Sequence, residues 1–150
     1  LVRDARGVNA AMPKHVVNRL EGLLGNLQGL RVVILGASYR GQVKETAFSG
    51  VFALVQELSA RGALPLVHDP LFDENELRAL NLEPFESGAT ASAAILQANH
   101  DEYRQWDASN ISGVRVFLDG RSWTDPTKWP GVMHVAVGQP SPTYAAAGFH

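Results

Sequence analysis

The run Arg31-Val32-Val33-Ile34-Leu35, stopped by Gly36, constrains this chain more than any other stretch. It is too short for a buried helix and lacks the alternation of a half-exposed strand. Such a run is a strand buried on both faces, as in a parallel sheet. Polar residues follow up to Ser49, and then Val51, Phe52, Leu54, Val55 and Leu58 return at helical spacing. Strand, loop and helix make the opening half of a βαβ unit, with the loop at the strand's carboxyl end. Open α/β sheets bind ligands along that edge, so Ser38-Tyr39-Arg40 is the first place to look for function.

The same alternation continues along the chain. Residues 1–25 are expected to be helical, with Met12, Val16, Leu20, Leu23 and Leu24 on one face and Pro13 kinking the helix or restarting it. The face at Val2, Val8 and Met12 either covers one side of the sheet or once packed on a further domain. Gly25-Asn26 stops the helix, and Gly62 caps the next one. Leu64 to Val67 is a second strand in which Pro65 suits an edge or a first position, and Asp73 caps a short helix to Leu80. Leu82 to Phe85 is a short strand or only a connection. Ser92 to Leu96 is predicted as a buried strand, although its small residues also suit a helix. A short helix is expected over Asp101–Trp106, with strands at Val114–Leu118 and Val132–Val137 and a mobile tail from Tyr144 to His150.

This order predicts a doubly wound, mostly parallel α/β sheet of about six strands. Right-handed crossovers would bring Ser38–Arg40, His68–Pro70, Asn99–Asp101 and Asp119–Arg121 onto one rim. A length of 150 residues with 45% apolar and 19% charged residues suits one domain with a sizeable core. A net charge of -2, without basic patches interleaved with aromatics, points away from nucleic acid and acidic membranes, so any anion site must be local. No run is long and apolar enough to span a bilayer. The lack of cysteine removes disulfides, thiolate metal sites and cysteine nucleophiles, and fits a cytosolic chain. The start at Leu-Val-Arg-Asp, inside a helical pattern, suggests a piece of a longer protein.

Gly36-Ala37-Ser38-Tyr39-Arg40-Gly41 has neither the Gly-Lys-Ser/Thr of a P-loop nor the Gly-x-Gly-x-x-Gly of a dinucleotide site. It does carry a guanidinium and a phenol suited to a phosphate and a base or ribose; the alternative is a surface loop with Arg40 solvated. Arg121 is either a second phosphate clamp or a partner of Asp119 or Asp125, and Lys44 either adds charge to the site or is solvated. His68-Asp69 and His100-Asp101 should lie near one another, as a metal site, an acid–base pair or turn-capping structure, with the structural role preferred. A Ser38/His68/Asp101 triad lacks a strained nucleophile elbow. Trp106, Trp123 and Trp129 suit packing better than stacking.

Five motifs in order carry a family likeness: Ala5-Arg6 … Asn9 … Met12-Pro13 … Val16-Val17; Val33 to Arg40; Gly62-Ala63 to His68-Asp69-Pro70; His100-Asp101-Glu102-Tyr103-Arg104; and Asp119-Gly120-Arg121. Together they resemble the C-terminal part of the UDP-glucose/GDP-mannose dehydrogenase family, the NAD-dependent nucleotide-sugar 6-dehydrogenases. The resemblance implies a Rossmann-like domain over 28–138 that holds the nucleotide of a UDP-sugar or related nucleotide sugar. It also implies that 1–27 are the end of a central helix linking the domains and shaping a homodimer or higher assembly, with 139–150 a C-terminal tail. On this mapping Tyr39 and Arg40 contact nucleotide and phosphate, Arg121 reaches in from the neighbouring strand end, and Lys44 is a weaker candidate. No catalytic residue or metal ligand is implied in this chain. NAD and the cysteine nucleophile of the two-step oxidation to a uronic acid belong to an N-terminal domain of the same protein, so the chain alone is expected to be inactive. The implied parent is a cytoplasmic enzyme of polysaccharide biosynthesis. Ala47 stands where family loops carry an arginine. A binding or assembly module that has lost its substrate is the alternative.

Overall fold

A computed structural model describes residues 5–47, 49–120, 122–136 and 143–144. Its strands are β1 (Arg31–Leu35), β2 (Leu64–His68), β3 (Ala93–Leu96), β4 (Val116–Asp119), β5 (Met133–Ala136) and β6 (Thr143–Tyr144). The α-helices are α1 (Ala5–Leu24), α2 (Val51–Ala60) and α3 (Glu74–Ala79). The sheet runs in the order β2-β1-β3-β4-β5-β6, with the first five strands parallel and β6 antiparallel to β5. This is the expected α/β sheet, doubly wound and mostly parallel. Thr143–Tyr144 pair with β5, so this part of the segment expected as tail joins the sheet; residues 145–150 lie outside the described residues.

The unbroken apolar run of β1 is explained by burial on both sides. Val32 and Ile34 face one core with α1, α2 and α3, while Val33 and Leu35 face a second core. The crossover from β1 to β2 passes through α2 on the first face. The return to β3 begins with α3 on the first face and crosses to the second at Phe85, and the connections to β4 and β5 run over the second face through Trp106, Ile111 and Trp129. Reversing direction and changing face together keeps one handedness of crossover. The second face carries no α-helix among the described residues; it is covered by 3₁₀ turns at Asp101–Arg104, Ala108–Asn110 and Pro126–Lys128. Segments holding Asp107, Ser109, Asn110 and Asp125 favour capped turns over helix, because their side chains bond nearby backbone N–H groups. Aromatic bulk then supplies the cover that a helix would have given: Trp106 and Trp129 are buried, and Phe117 meets Trp129 edge-on at 4.6 Å.

Several expectations shift in detail. Helix α1 continues through Pro13, with no restart. Its buried face is centred on Val17 and Leu20, a rotation from the expected stripe, with Val16, Leu23 and Leu24 only partly buried. Pro13 is itself buried and shares that face with Val17, Leu20 and Leu24 at helical spacing. The expected packing at Val2, Val8 and Met12 lies outside the residues whose side chains are described. Pro65 sits on edge strand β2, where its missing donor costs no ladder bond. Leu82–Phe85 is a connection with one parallel bridge, Val67 to Pro84. The Asp101–Trp106 segment is the shorter 3₁₀ turn, while Asp73 caps α3 in a capping box with Glu76.

Leu20→Ala should lower the unfolding free energy by about 2–5 kcal/mol in urea titrations, whereas Asn18→Ala should stay within about 0.5 kcal/mol. Equal effects would show that α1 does not dock through this face.

Candidate functional site

The residues that follow three adjacent strands meet at the carboxyl rim. Leu35 is in register with His68 of β2 and Leu96 of β3, so Gly36, Asp69 and Gln97 come next to one another. The strand order also reverses here, since β1 connects outward to β2 and the chain then returns to β3 on β1's other side. Such a switch point is the usual ligand crevice of an open α/β sheet.

In this chain the crevice is packed with its own polar groups. The Asp69 Oδ2 atom accepts hydrogen bonds from the backbone N–H groups of Ala37 (2.7 Å) and Ser38 (3.1 Å) and from the Ser38 hydroxyl (3.0 Å). It also pairs with His100 Nε2 at 2.9 Å, while Oδ1 accepts from Leu71 N–H at 2.8 Å. Gln97 Nε2 donates to the carbonyls of Gly36 (2.7 Å) and Ser38 (2.8 Å). Ser38, Asp69 and His100 are all buried. Burial alone would push the Asp69 carboxyl up, but the His100 bond and the Leu71 and Ala37 N–H groups outweigh it and hold the pKa below the ordinary value.

Beyond Ser38 the loop closes on itself, with Tyr39 N–H donating to the Glu45 carbonyl at 2.6 Å. Its tip is pinned to the residues after β3. Gly41 N–H donates to Asn99 Oδ1 (3.1 Å), Gln42 N–H to His100 Nδ1 (2.9 Å), and Asp101 N–H to Gln42 Oε1 (2.8 Å). The two glycines serve this packing. A Cβ at Gly36 would lie 2.5 Å from Ala98 Cβ, and one at Gly41 would lie 2.2 Å from the Asn99 carbonyl oxygen. With both glycine positions filled by the neighbouring segment, no room is left against them for a dinucleotide pyrophosphate. The residues present do not fit NAD.

The anchored loop leaves two side chains outside. Tyr39 is 49% exposed, Arg40 is exposed, and neither side chain makes a hydrogen bond or ion pair among the described residues. Lys44 instead pairs with Glu76 at 2.5 Å and lies over the Phe72 ring, which holds it against α3 and lowers the Glu76 pKa. Arg121 lies outside the described residues. The strand before it, β4, is separated from β1 by β3 and is therefore not the neighbour expected from the sequence. Two strand spacings, about 10 Å, separate the ends of β1 and β4. Asp119 ends β4 in a second buried network, accepting from Thr124 N–H and Oγ1 (both 2.6 Å), with Thr124 Oγ1 2.8 Å from His134 Nε2. Burial lowers the His134 pKa, against the raising effect of Asp119 and Asp125.

The two histidine-aspartate dipeptides lie near one another, as expected, and their contacts are structural. Asp69 pairs with His100, while Asp101 turns outward and bonds Gln42 through its backbone. His68 instead contacts the Tyr103 hydroxyl (3.0 Å) and meets the Trp106 ring at a tilt, with centroids 4.7 Å apart; burial lowers its pKa although Glu102 and Asp69 raise it. Burial also raises the Tyr103 pKa well above its usual value. Ser38 donates to the carboxylate and has no histidine base, so no nucleophile is assembled. Among the described residues no three His, Asp or Glu side chains converge on a metal position. Sequence reasoning missed Gln42, Gln97, Thr124 and His134 as anchors; for the first three the available signal was position, directly after a strand end or in the loop that follows, while His134 sits within β5 and gave none.

The profile of the UDP-glucose/GDP-mannose dehydrogenase family, UDP binding domain, matches residues 33–126, the segment that builds this rim. The chain belongs to this family. UDP-N-acetyl-D-mannosamine dehydrogenase of Methanocaldococcus jannaschii is 26% identical over 135 residues, covering 86% of this chain and 31% of that protein. UDP-glucose 6-dehydrogenase AglM of Haloferax volcanii is 28% identical over 127 residues, covering 81% of this chain and 29% of that protein. The UDP-glucose dehydrogenase structure from Pyrobaculum islandicum matches with a TM-score of 0.64 at 26% identity, over 87% of this chain and 30% of that one. The native structure of UDP-N-acetyl-mannosamine dehydrogenase Cap5O from Staphylococcus aureus matches with a TM-score of 0.71 at 21% identity, over 89% and 32% of the two chains, and supports the fold. The chain thus spans about a third of the length of these family members. Among the described residues no helix is long and apolar enough to cross a membrane.

Asp69 contributes stability above its unfolded pKa of about 4 and loses it as pH falls through its depressed folded value. Thermal melts should therefore fall more steeply with acid in the wild type than in Asp69→Asn. Parallel profiles would remove Asp69 from the acid response. Gly41→Ala should cost about 1–3 kcal/mol, because the new Cβ meets a backbone oxygen that can move only with its loop. An unchanged melting temperature would show that the loops do not pack this closely.

Proposed function

We propose that the chain binds the nucleotide part of a UDP-sugar across the carboxyl rim. Tyr39 packs on base or ribose, and Arg40 pairs with the diphosphate through its planar fork of donors. The observation that carries this is the contrast within one loop: its backbone is tied down by Asp69, Gln97, Asn99 and His100, while Tyr39 and Arg40 are left exposed and unpaired among the described residues. A guanidinium held on a fixed backbone loses less freedom on binding than one on a mobile loop. Arg121, two residues beyond the end of β4 in the sequence, is the second clamp of this reading. Lys44, paired with Glu76, contributes at most general positive charge.

On this proposal residues 28–138 are the nucleotide-binding domain, 1–27 the end of a helix that links domains and supports a homodimer or larger assembly, and 139–150 a terminal segment. The parent is a cytoplasmic oxidoreductase that converts a UDP-sugar to its uronic acid for polysaccharide biosynthesis. NAD and the cysteine nucleophile come from its N-terminal domain. This chain binds and orients substrate, and by itself performs no oxidation.

Calorimetric titration of the chain with UDP should show saturable binding that Arg40→Ala weakens by about 1.5–3 kcal/mol, the scale of a charge-assisted bond. The melting temperature of that variant should match the wild type, since Arg40 makes no intramolecular bond among the described residues. Unchanged affinity in Arg40→Ala removes that residue from the site. No binding of UDP by a folded chain would favour a non-catalytic assembly module, in keeping with Ala47 at the family's arginine position.

A further inference from the structure

We propose that His100 is a positioning residue whose imidazole fixes the direction in which the loop presents Tyr39 and Arg40. This rests on the nucleotide-binding role proposed above and adds the part that sets the geometry of that site. The ring is fully buried and bonded at both nitrogens, accepting from Gln42 N–H through Nδ1 and facing the Asp69 carboxylate through Nε2, each at 2.9 Å. Because Nδ1 accepts, the proton sits on Nε2, and one neutral tautomer satisfies both contacts. The imidazole is thus a strut between the loop tip and the carboxylate that holds the loop's base.

The tip needs such a strut. Gln42 has φ of 64°, in the left-handed region that a residue with a Cβ adopts only when its surroundings hold it there. Flanking bonds from Gly41 N–H to Asn99 and from Asp101 N–H to Gln42 Oε1 keep the same register, so the tip is read by Asn99, His100 and Asp101 in turn. Arg40 lies directly before this clamped pair, and its Cα–Cβ direction follows from their geometry. The His100 carbonyl also accepts from Trp123 Nε1 at 2.9 Å, which ties the segment after β3 to the one after β4. The strand ladder of the sheet does not pass through the His100 side chain. Its two bonds go to the loop and to Asp69 alone.

The test needs one measurement without any variant and one set with them. In the wild-type chain, imidazole ¹⁵N shifts should show Nε2 protonated and Nδ1 bare; the opposite tautomer would overturn the strut. His100→Ala should speed amide exchange at Gln42 by roughly tenfold or more, while β1 amides keep their protection, and should weaken UDP binding by roughly tenfold. His100→Gln, whose amide again offers one acceptor and one donor, should recover both to within about threefold. Leu58→Ala, a core change in α2, controls for general destabilisation: it should lower the melting temperature and leave UDP affinity and the Gln42-to-β1 exchange ratio unchanged. Unaltered Gln42 exchange or unaltered affinity in His100→Ala would overturn the proposal, as would an equal effect from Leu58→Ala. If the wild-type chain binds no UDP, the nucleotide-binding role fails by itself, and the tautomer and Gln42 exchange still decide whether His100 holds the loop.

Discussion

A single buried carboxylate organises the carboxyl rim of this sheet. Asp69 accepts from two consecutive backbone N–H groups, a hydroxyl and an imidazole on one side and from Leu71 N–H on the other, which ties the ends of β1, β2 and β3 into one unit. A buried charge of this kind is tolerable only when donors surround it, and removing any one leaves part of the desolvation cost uncompensated. Those donors are the groups that must be fixed if the loop after β1 is to keep one shape. The network therefore stabilises the site region and defines it together. Asp119, with Thr124 and His134, repeats the device two strands along, at the end of β4.

Below the rim, the sheet is a platform with two unlike sides. One face is covered by α1 and α2, the other by turns and aromatic side chains. The turn-covered face brings Tyr103, Trp106 and Trp123 up to the rim, where they contact His68, His100 and Arg104. Tyr103 shows the link between cover and site most directly. It is fully buried, and its hydroxyl donates to the His68 carbonyl while its ring edge meets His100. Packing of the second core thus presses on the polar network from beneath. Loop geometry and core packing are coupled through shared residues.

Much of this was legible in the residues. The β1 run, the capping box at Asp73, Pro65 on an edge strand and the convergence of strand ends on one rim follow from local chemistry and the period of apolar residues. Tyr39 and Arg40 were legible as the exposed chemistry of the first loop. The partner assignments were not. His100 choosing Asp69 over Asp101, and Lys44 choosing Glu76, depend on which groups face each other across loops far apart in the chain. The glycines of Gly36–Gly41 are a clear instance: their spacing invites comparison with phosphate loops, yet each makes room for a neighbouring backbone segment.

Local preferences and apolar spacing in the chain were enough to establish a mostly parallel α/β sheet and its strand-end loops. Those properties depend on steric and solvation terms acting within a few residues. The strand order was settled only by folding, and with it the placement of β3 between β1 and β4, the face that α1 buries and the wiring of the Asp69 and Asp119 networks. Those depend on contacts between distant segments, where a one-residue shift in register would give every buried carboxylate a different set of donors.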